Sequence, residues 1–238
     1  MTRRKSGSKK ENTYEVKQGK ICSGASEPIK PLNDKQKQYM SAIRNSPTVI
    51  CTGVWGSSKT FIPSCMAADM LRDEKVEKII VARPAEGKGK SLGFFKGDKN
   101  EKLEGWVAPV ADTLKKRLGD SNYKYHLEHG NIELLALEQV KGRSWDNCFI
   151  IVDEAEDLDP EVAKSLVGRQ GINSKTVITG DIRQQDIKRN SGLQLLLDVK
   201  EYANLDVPHI DFDSWEYCVR SPEAKEWGKA FEDYSKGN

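Results

Sequence analysis

Six short apolar runs constrain this chain more than any other feature. They are TVICTG (48–53), KIIVARP (78–84), IELLAL (132–137), CFIIVD (148–153), KTVITGD (175–181) and VPHIDFD (207–213). Most are rich in Val, Ile and Thr, which favours strands. Between them, residues 59–72, 99–118, 159–169, 191–202 and 222–235 space their apolar side chains as helices do. One of these helices has a legible start: Asp159 is the expected N-cap and Pro160 the first helical residue. Strands that read as continuous apolar runs and alternate with helices are buried on both faces. That predicts an α/β fold with a parallel sheet and helices on both sides. Ligands of such sheets bind beyond the carboxyl ends of the strands.

The 238 residues suit one domain of this kind. Residues 1–28 are polar, with Gly, Ser and Lys throughout, and are expected to be a disordered basic tail before a folded part at 29–238. Residues 1–20 hold seven Lys and Arg against two Glu, so they carry five of the charge surplus. The whole chain is only +2, which leaves the remainder at −3. A basic arm on a mildly acidic body can touch phosphate backbones, or be a solvated tail. No apolar run approaches the roughly 18 residues of a membrane span. The basic start is not followed by an apolar segment of the secretory kind. The five cysteines are scattered without a C-x-x-C pair, and Cys51 and Cys148 lie inside strand-like runs. They read as buried, reduced thiols of a cytoplasmic protein.

The first run leads into a loop of special form. Gly53, Val54, Trp55, Gly56, Ser57, Ser58, Lys59 and Thr60 spell G-x-x-x-x-S-K-T, with Phe61 following. Such a loop cradles phosphates with its backbone N–H groups at a helix N-terminus. The lysine neutralises β- and γ-oxygens, and the threonine hydroxyl holds Mg²⁺. The usual pattern has glycine where this chain has Ser58. Serine is tolerable there if φ is negative and strains the loop if φ is positive. Trp55 inside the loop either covers a bound base or ribose, or packs on a neighbouring strand.

Three further stretches fit the same chemistry. CFIIVDEAEDL ends a strand in Asp153-Glu154. An acid there can support Mg²⁺, and the glutamate after it can orient and deprotonate an attacking water. KTVITGDIRQQD places Gln184 just beyond another strand end, where an amide can position water beside a γ-phosphate. Upstream, Gln36 can read adenine through paired hydrogen bonds or be an exposed helical glutamine. His126 and His129 stand three apart in YHLEH, but no third ligand is evident, and the segment reads as an exposed polar turn.

The order of these pieces resembles the PhoH family of P-loop ATPases, itself similar to the N-terminal core of superfamily 1 helicases. The residues that carry the likeness are Arg83-Pro84, SLGFFKGDKNEK (91–102), Gly142-Arg143-Ser144, IIVDEAED (150–157) and TGDIRQQD (179–186). The family pattern runs approximately R-P, L-G-F-x-P-G-D-x-x-E-K, G-R-T, D-E-A-Q-N and T-G-D-x-x-Q-x-D. Ser58, Lys96, Ser144 and Glu156-Asp157 depart from it, and only Ser58 stands where catalysis is threatened.

The resemblance implies a single RecA-like domain over about residues 29–236 that binds ATP with Mg²⁺. It also implies that Lys59 and Thr60 hold phosphates and metal, Asp153 supports the metal, Glu154 is the base and Gln184 the sensor. Val219-Arg220-Ser221-Pro222 resembles the family's V-R-x-P, which makes Arg220 an arginine finger or γ-phosphate sensor. Arg83 and Arg143 become candidates for nucleic acid or a neighbouring subunit, or plain surface ion pairs. A helicase builds its site between two domains and this chain has length for one. An arginine from another copy, in a ring or head-to-tail oligomer, is therefore expected. Single-stranded RNA or DNA is the expected macromolecular partner. Two other classes stay open: a nucleotide-responsive binding module that barely hydrolyses because of Ser58, and a small-molecule kinase. A water-activating glutamate after Asp153 argues against the kinase.

Overall fold

A computed structural model describes residues 27–84, 99–139, 144–184 and 191–237. Residues 1–26 of the tail expected at 1–28, and Arg143, lie outside the described residues. All six expected strands form: β1 (Thr48–Gly53), β2 (Lys78–Arg83), β3 (Ile132–Ala136), β4 (Cys148–Val152), β5 (Lys175–Thr179) and β6 (His209–Phe212). They make one sheet in the order β3-β2-β4-β5-β1-β6, and every pairing is parallel.

Alternate residues of β1 to β5 enter two separate cores, and β6 adds Phe212 to the first. Cys51, Val81, Phe149 and Val177 face helices α1 (Asp34–Asn45), α2 (Phe61–Arg72) and α4 (Ala108–Leu118). Ile50, Ile80, Ile150 and Ile178 face α6 (Pro160–Val167) and α7 (Gly192–Tyr202). Both faces of the sheet are therefore covered, which is why the strands read as unbroken apolar runs. Cys51, Cys65, Cys148 and Cys218 are all buried free thiols.

Two helical expectations need correction. The pattern at 99–118 is two helices, α3 (Lys99–Trp106) and α4. Val107 leaves helical geometry at φ −105°, ψ 27°, and Pro109 has no N–H to continue the ladder. The expected polar turn around YHLEH is instead α5 (Asp120–Glu128), anchored by the buried ring of Tyr123. His129 stacks on Tyr125, with ring centroids 3.9 Å apart. Among the described residues no cluster of three or more His, Cys, Asp or Glu could hold a metal ion. The last helix, α8 (Pro222–Gly237), is mostly exposed among its described side chains; its Gly228 lies against the ring of Trp215.

Register places the ends of β1, β5 and β4 side by side. Cys51 pairs with Thr179, and Ile178 pairs with Val152. The loop after Gly53, the turn after Thr179 and the acids after Val152 thus leave the sheet as neighbours. Among the described residues no helix is long and apolar enough to cross a membrane.

Candidate active site

The loop from Gly53 to Thr60 is held at both ends. Gly53 has φ 123°, and a Cβ there would lie 2.3 Å from the carbonyl oxygen of Phe212, so only glycine fits. Val54 N–H donates back to that same carbonyl at 3.0 Å. The Ser57 hydroxyl donates to Val54 O at 2.8 Å, and the Tyr39 hydroxyl to Lys59 O at 2.9 Å. Val219 N–H donates to Gly56 O at 2.9 Å. Among the described residues no acceptor takes the N–H groups of Gly56, Ser57, Ser58 or Lys59. Four such donors ahead of α2 make an anion cradle. The Lys59 ammonium donates to the carbonyls of Gly53 and Val54, at 2.5 and 2.9 Å.

Ser58 has φ +74°, the left-handed region that its usual glycine would enter freely. The strained case of the two sequence alternatives is therefore the real one. Gln36 supports this position. Its Nε2 donates to Ser57 O at 3.3 Å and to Ser58 Oγ at 3.4 Å, while its Oε1 accepts from Leu32 N–H at 2.8 Å. Gln36 is 2% exposed, so it is not an exposed helical glutamine.

The acids arrive from β4, two strands away from β1. Thr60 Oγ1 donates to Asp153 Oδ1 at 2.7 Å, and Thr179 Oγ1 donates to the same oxygen at 2.9 Å. Burial raises the Asp153 carboxyl above its ordinary range, against the two hydroxyl hydrogen bonds. A hydroxyl and a carboxylate in contact are hard oxygen donors of the kind Mg²⁺ takes when phosphates complete its shell. Glu154 follows at φ +54°. A hydrogen bond from Glu156, aided by Arg83, keeps its carboxyl below the ordinary value despite partial burial. Glu156 itself is pushed up to about 9 by burial and by its hydrogen bond to Glu154. At neutral pH, Glu156 therefore holds a proton and donates it to an ionised Glu154. Glu156 Oε2 accepts from Asp181 N–H at 3.0 Å.

These groups line one cleft of about 560 Å³. Lys59, Thr60, Asp153, Glu154 and Arg220 all reach it, as do Trp55 and Phe61. The arginine expected from another copy has a counterpart in the same chain, because Arg220 lines its own cleft. A Cβ on Gly56 would lie 2.9 Å from Arg220 Cγ and from Cys218 Sγ, so the segment before α8 presses directly on the loop. Trp55 packs on the turn Trp215–Tyr217 after β6 and not on a strand. It meets Trp215 edge to face at 4.9 Å and also lines the cleft. Arg83 is engaged within the chain: it donates to Trp106 O at 3.0 Å and lies 3.7 Å from Glu154. Gln184 ends the turn Ile182–Gln184 after β5, and its side chain lies outside the described atoms.

Sequence reasoning missed Glu156 and Thr179. In the sequence the first is only a departure in DEAED, and its i, i+2 spacing from Glu154 is the available signal. The second directly precedes Gly180-Asp181 and carries no pattern of its own.

A glycine-bounded loop, a lysine at the head of a helix and an acid at the end of a second strand define a P-loop NTPase domain of RecA-like α/β architecture. The chain belongs to the PhoH family. A family profile described as PhoH-like protein matches residues 28–232. A PhoH-like protein of Bacillus subtilis is 32% identical over 229 residues, covering 96% of this chain and 70% of that one. Protein PhoH of Escherichia coli is 36% identical over 198 residues, covering 82% of this chain and 55% of that one. The chain thus spans about half the length of some of the relatives it matches. Among solved structures, the large terminase of a thermophilic bacteriophage is similar in fold: TM-score 0.55 at 13% identity, over 83% of this chain and 50% of that one.

Proposed function

We propose that this domain binds Mg·ATP in the cleft and hydrolyses it. The observation that carries the reading is convergence: the Lys59 loop, the Thr60–Asp153 contact and Glu154 border one cavity. In this reading the loop N–H groups and Lys59 hold the β- and γ-phosphates. Thr60 and Asp153 hold the Mg²⁺, which supplies charge neutralisation when bound. Glu154, kept ionised by its Glu156 and Arg83 neighbours, takes the proton of the attacking water. Gln184 positions that water. Arg220 neutralises charge as it develops on the transferred group, and electrostatic stabilisation of that kind is the largest contribution in this chemistry. Phosphate release by purified wild type, compared with Glu154→Gln, tests the assignment. Equal rates for the two proteins would reject it.

The surplus of positive charge at residues 1–20 supports coupling of hydrolysis to single-stranded RNA or DNA. Stimulation of phosphate release by either at low salt is the expected result; none by either would remove the coupling. In the same reading the protein works in the cytoplasm, as a homo-oligomer.

A second reading is favoured by one observation, the left-handed serine. Strain at Ser58 would let the site bind nucleotide and change shape with little turnover. A large rise in turnover for Ser58→Gly supports this switch; little change supports the ATPase.

A further inference from the structure

Among the described residues, the cleft is well furnished for a triphosphate and poorly furnished for a base. The one amide expected to read adenine is Gln36, and both of its ends are engaged with the chain itself, at Leu32, Ser57 and Ser58. Turning it to a base edge would strand the Leu32 N–H and the Ser57 carbonyl. It would also remove the support of a strained serine. The cost of unpairing such groups is of the same order as the gain from a two-point contact with a base, so the exchange yields nothing net.

Four of the hydroxyls along the cleft are also committed inward, while Ser58 Oγ accepts from Gln36. Ser57 donates to Val54 O, Thr60 and Thr179 donate to Asp153, and Thr113 donates to Pro109 O. Of the charged groups in the lining, Lys59, Asp153, Glu154 and Arg220 belong to the phosphate end in the proposed function, Glu156 is hydrogen-bonded to Glu154, and Asp181 accepts from Arg183 N–H. The apolar part of the lining is rings and aliphatic surface: Trp55, Phe61, Pro109 and Val219, with Phe61 half exposed. A ring face accepts any base, because every base has a π-face.

Resting on the proposed nucleotide function, we infer that this cleft selects its substrate by the triphosphate and not by the base. ATP, GTP, CTP and UTP are all substrates, with purines ahead of pyrimidines by stacking area. Gln36 is then a positioning residue for the loop and not a base reader.

The test measures kcat/KM for Mg complexes of the four nucleotides with the full chain. It also measures their displacement of a fluorescent ATP analogue, with inorganic triphosphate as a fifth competitor. The expected result is a spread of about tenfold or less among the four, the scale of a difference in stacking. Competition by triphosphate itself is also expected. Gln36→Ala should lower kcat for ATP and GTP by the same factor. A preference for ATP over GTP of about a hundredfold or more, erased by Gln36→Ala, would overturn the inference. The wild-type series does not depend on that variant folding. If no nucleotide is hydrolysed, the hydrolysis reading fails, while the displacement series still decides base selection. Similar displacement constants uphold it, and displacement by ATP alone ends it.

Discussion

Two turns face each other across the cleft, and each holds a non-glycine residue in left-handed geometry. Ser58 has φ +74° after β1, and Glu154 has φ +54° after β4. Their supports differ in kind. Ser58 is steadied by a neutral amide, that of Gln36, and its carbonyl accepts the Ile62 N–H at 3.1 Å. Glu154 is steadied by a proton shared from Glu156 and by the Arg83 guanidinium. Strain of this kind costs on the order of 1–3 kcal/mol per residue and persists only where surrounding contacts enforce it. The phosphate side is therefore insensitive to pH in its support, and the acidic side is not.

The comparison breaks most visibly at Glu154. Glu154→Gln keeps the shape and removes the base, so phosphate release should fall by about 10²–10⁴-fold. Nucleotide binding, read by displacement, should stay close to wild type. A loss of binding equal to the loss of rate would place the residue in ligand gripping instead.

Arg220 sharpens the phosphate side. Arg220→Ala and Lys59→Ala should each lose about 10³-fold in turnover. Because Arg220 reaches the cleft of its own chain, mixing the two inactive variants should restore nothing. Recovery toward a quarter or half of wild-type activity on mixing would show that the arginine serves a neighbouring copy.

The difference in pH response can be read as stability. Folding raises Glu156 from an ordinary 4.5 to about 9, so the folded chain keeps a proton that the unfolded chain releases. The stability from this group is complete below the unfolded value and is lost as pH rises toward about 9. Glu156→Gln cannot ionise. Its Tm should exceed that of wild type by a few degrees at about pH 8, with a gap that shrinks as pH falls toward 5. A constant gap across that range would mean that Glu156 is not the protonated partner.

The smallest effect belongs to Ser58→Gly. Relief of the left-handed strain is partly offset by the greater freedom of glycine in the unfolded chain. A gain of about 1 kcal/mol or less is expected in denaturant titration. A loss of stability would mean that the Gln36 contact outweighs the strain.

The sequence alone determined the strands, the parallel sheet, the phosphate loop and the acids at a strand end. Each of these is written in local pattern: apolar runs, a glycine that opens a turn, a lysine before a helix, an N-cap at Asp159 that accepts from Glu161 N–H. Other features depend on partners far along the chain. Thr60 meets Asp153 across 93 positions, and Gln36 meets Ser58 across 22. Serine's backbone angle, the engaged amide, the proton held by Glu156 and the reach of Arg220 into its own cleft were decided only by tertiary structure. The physical reason is that a φ angle, a hydrogen-bond partner and a raised pKa are properties of surroundings. Those surroundings exist only once β1, β5 and β4 lie side by side.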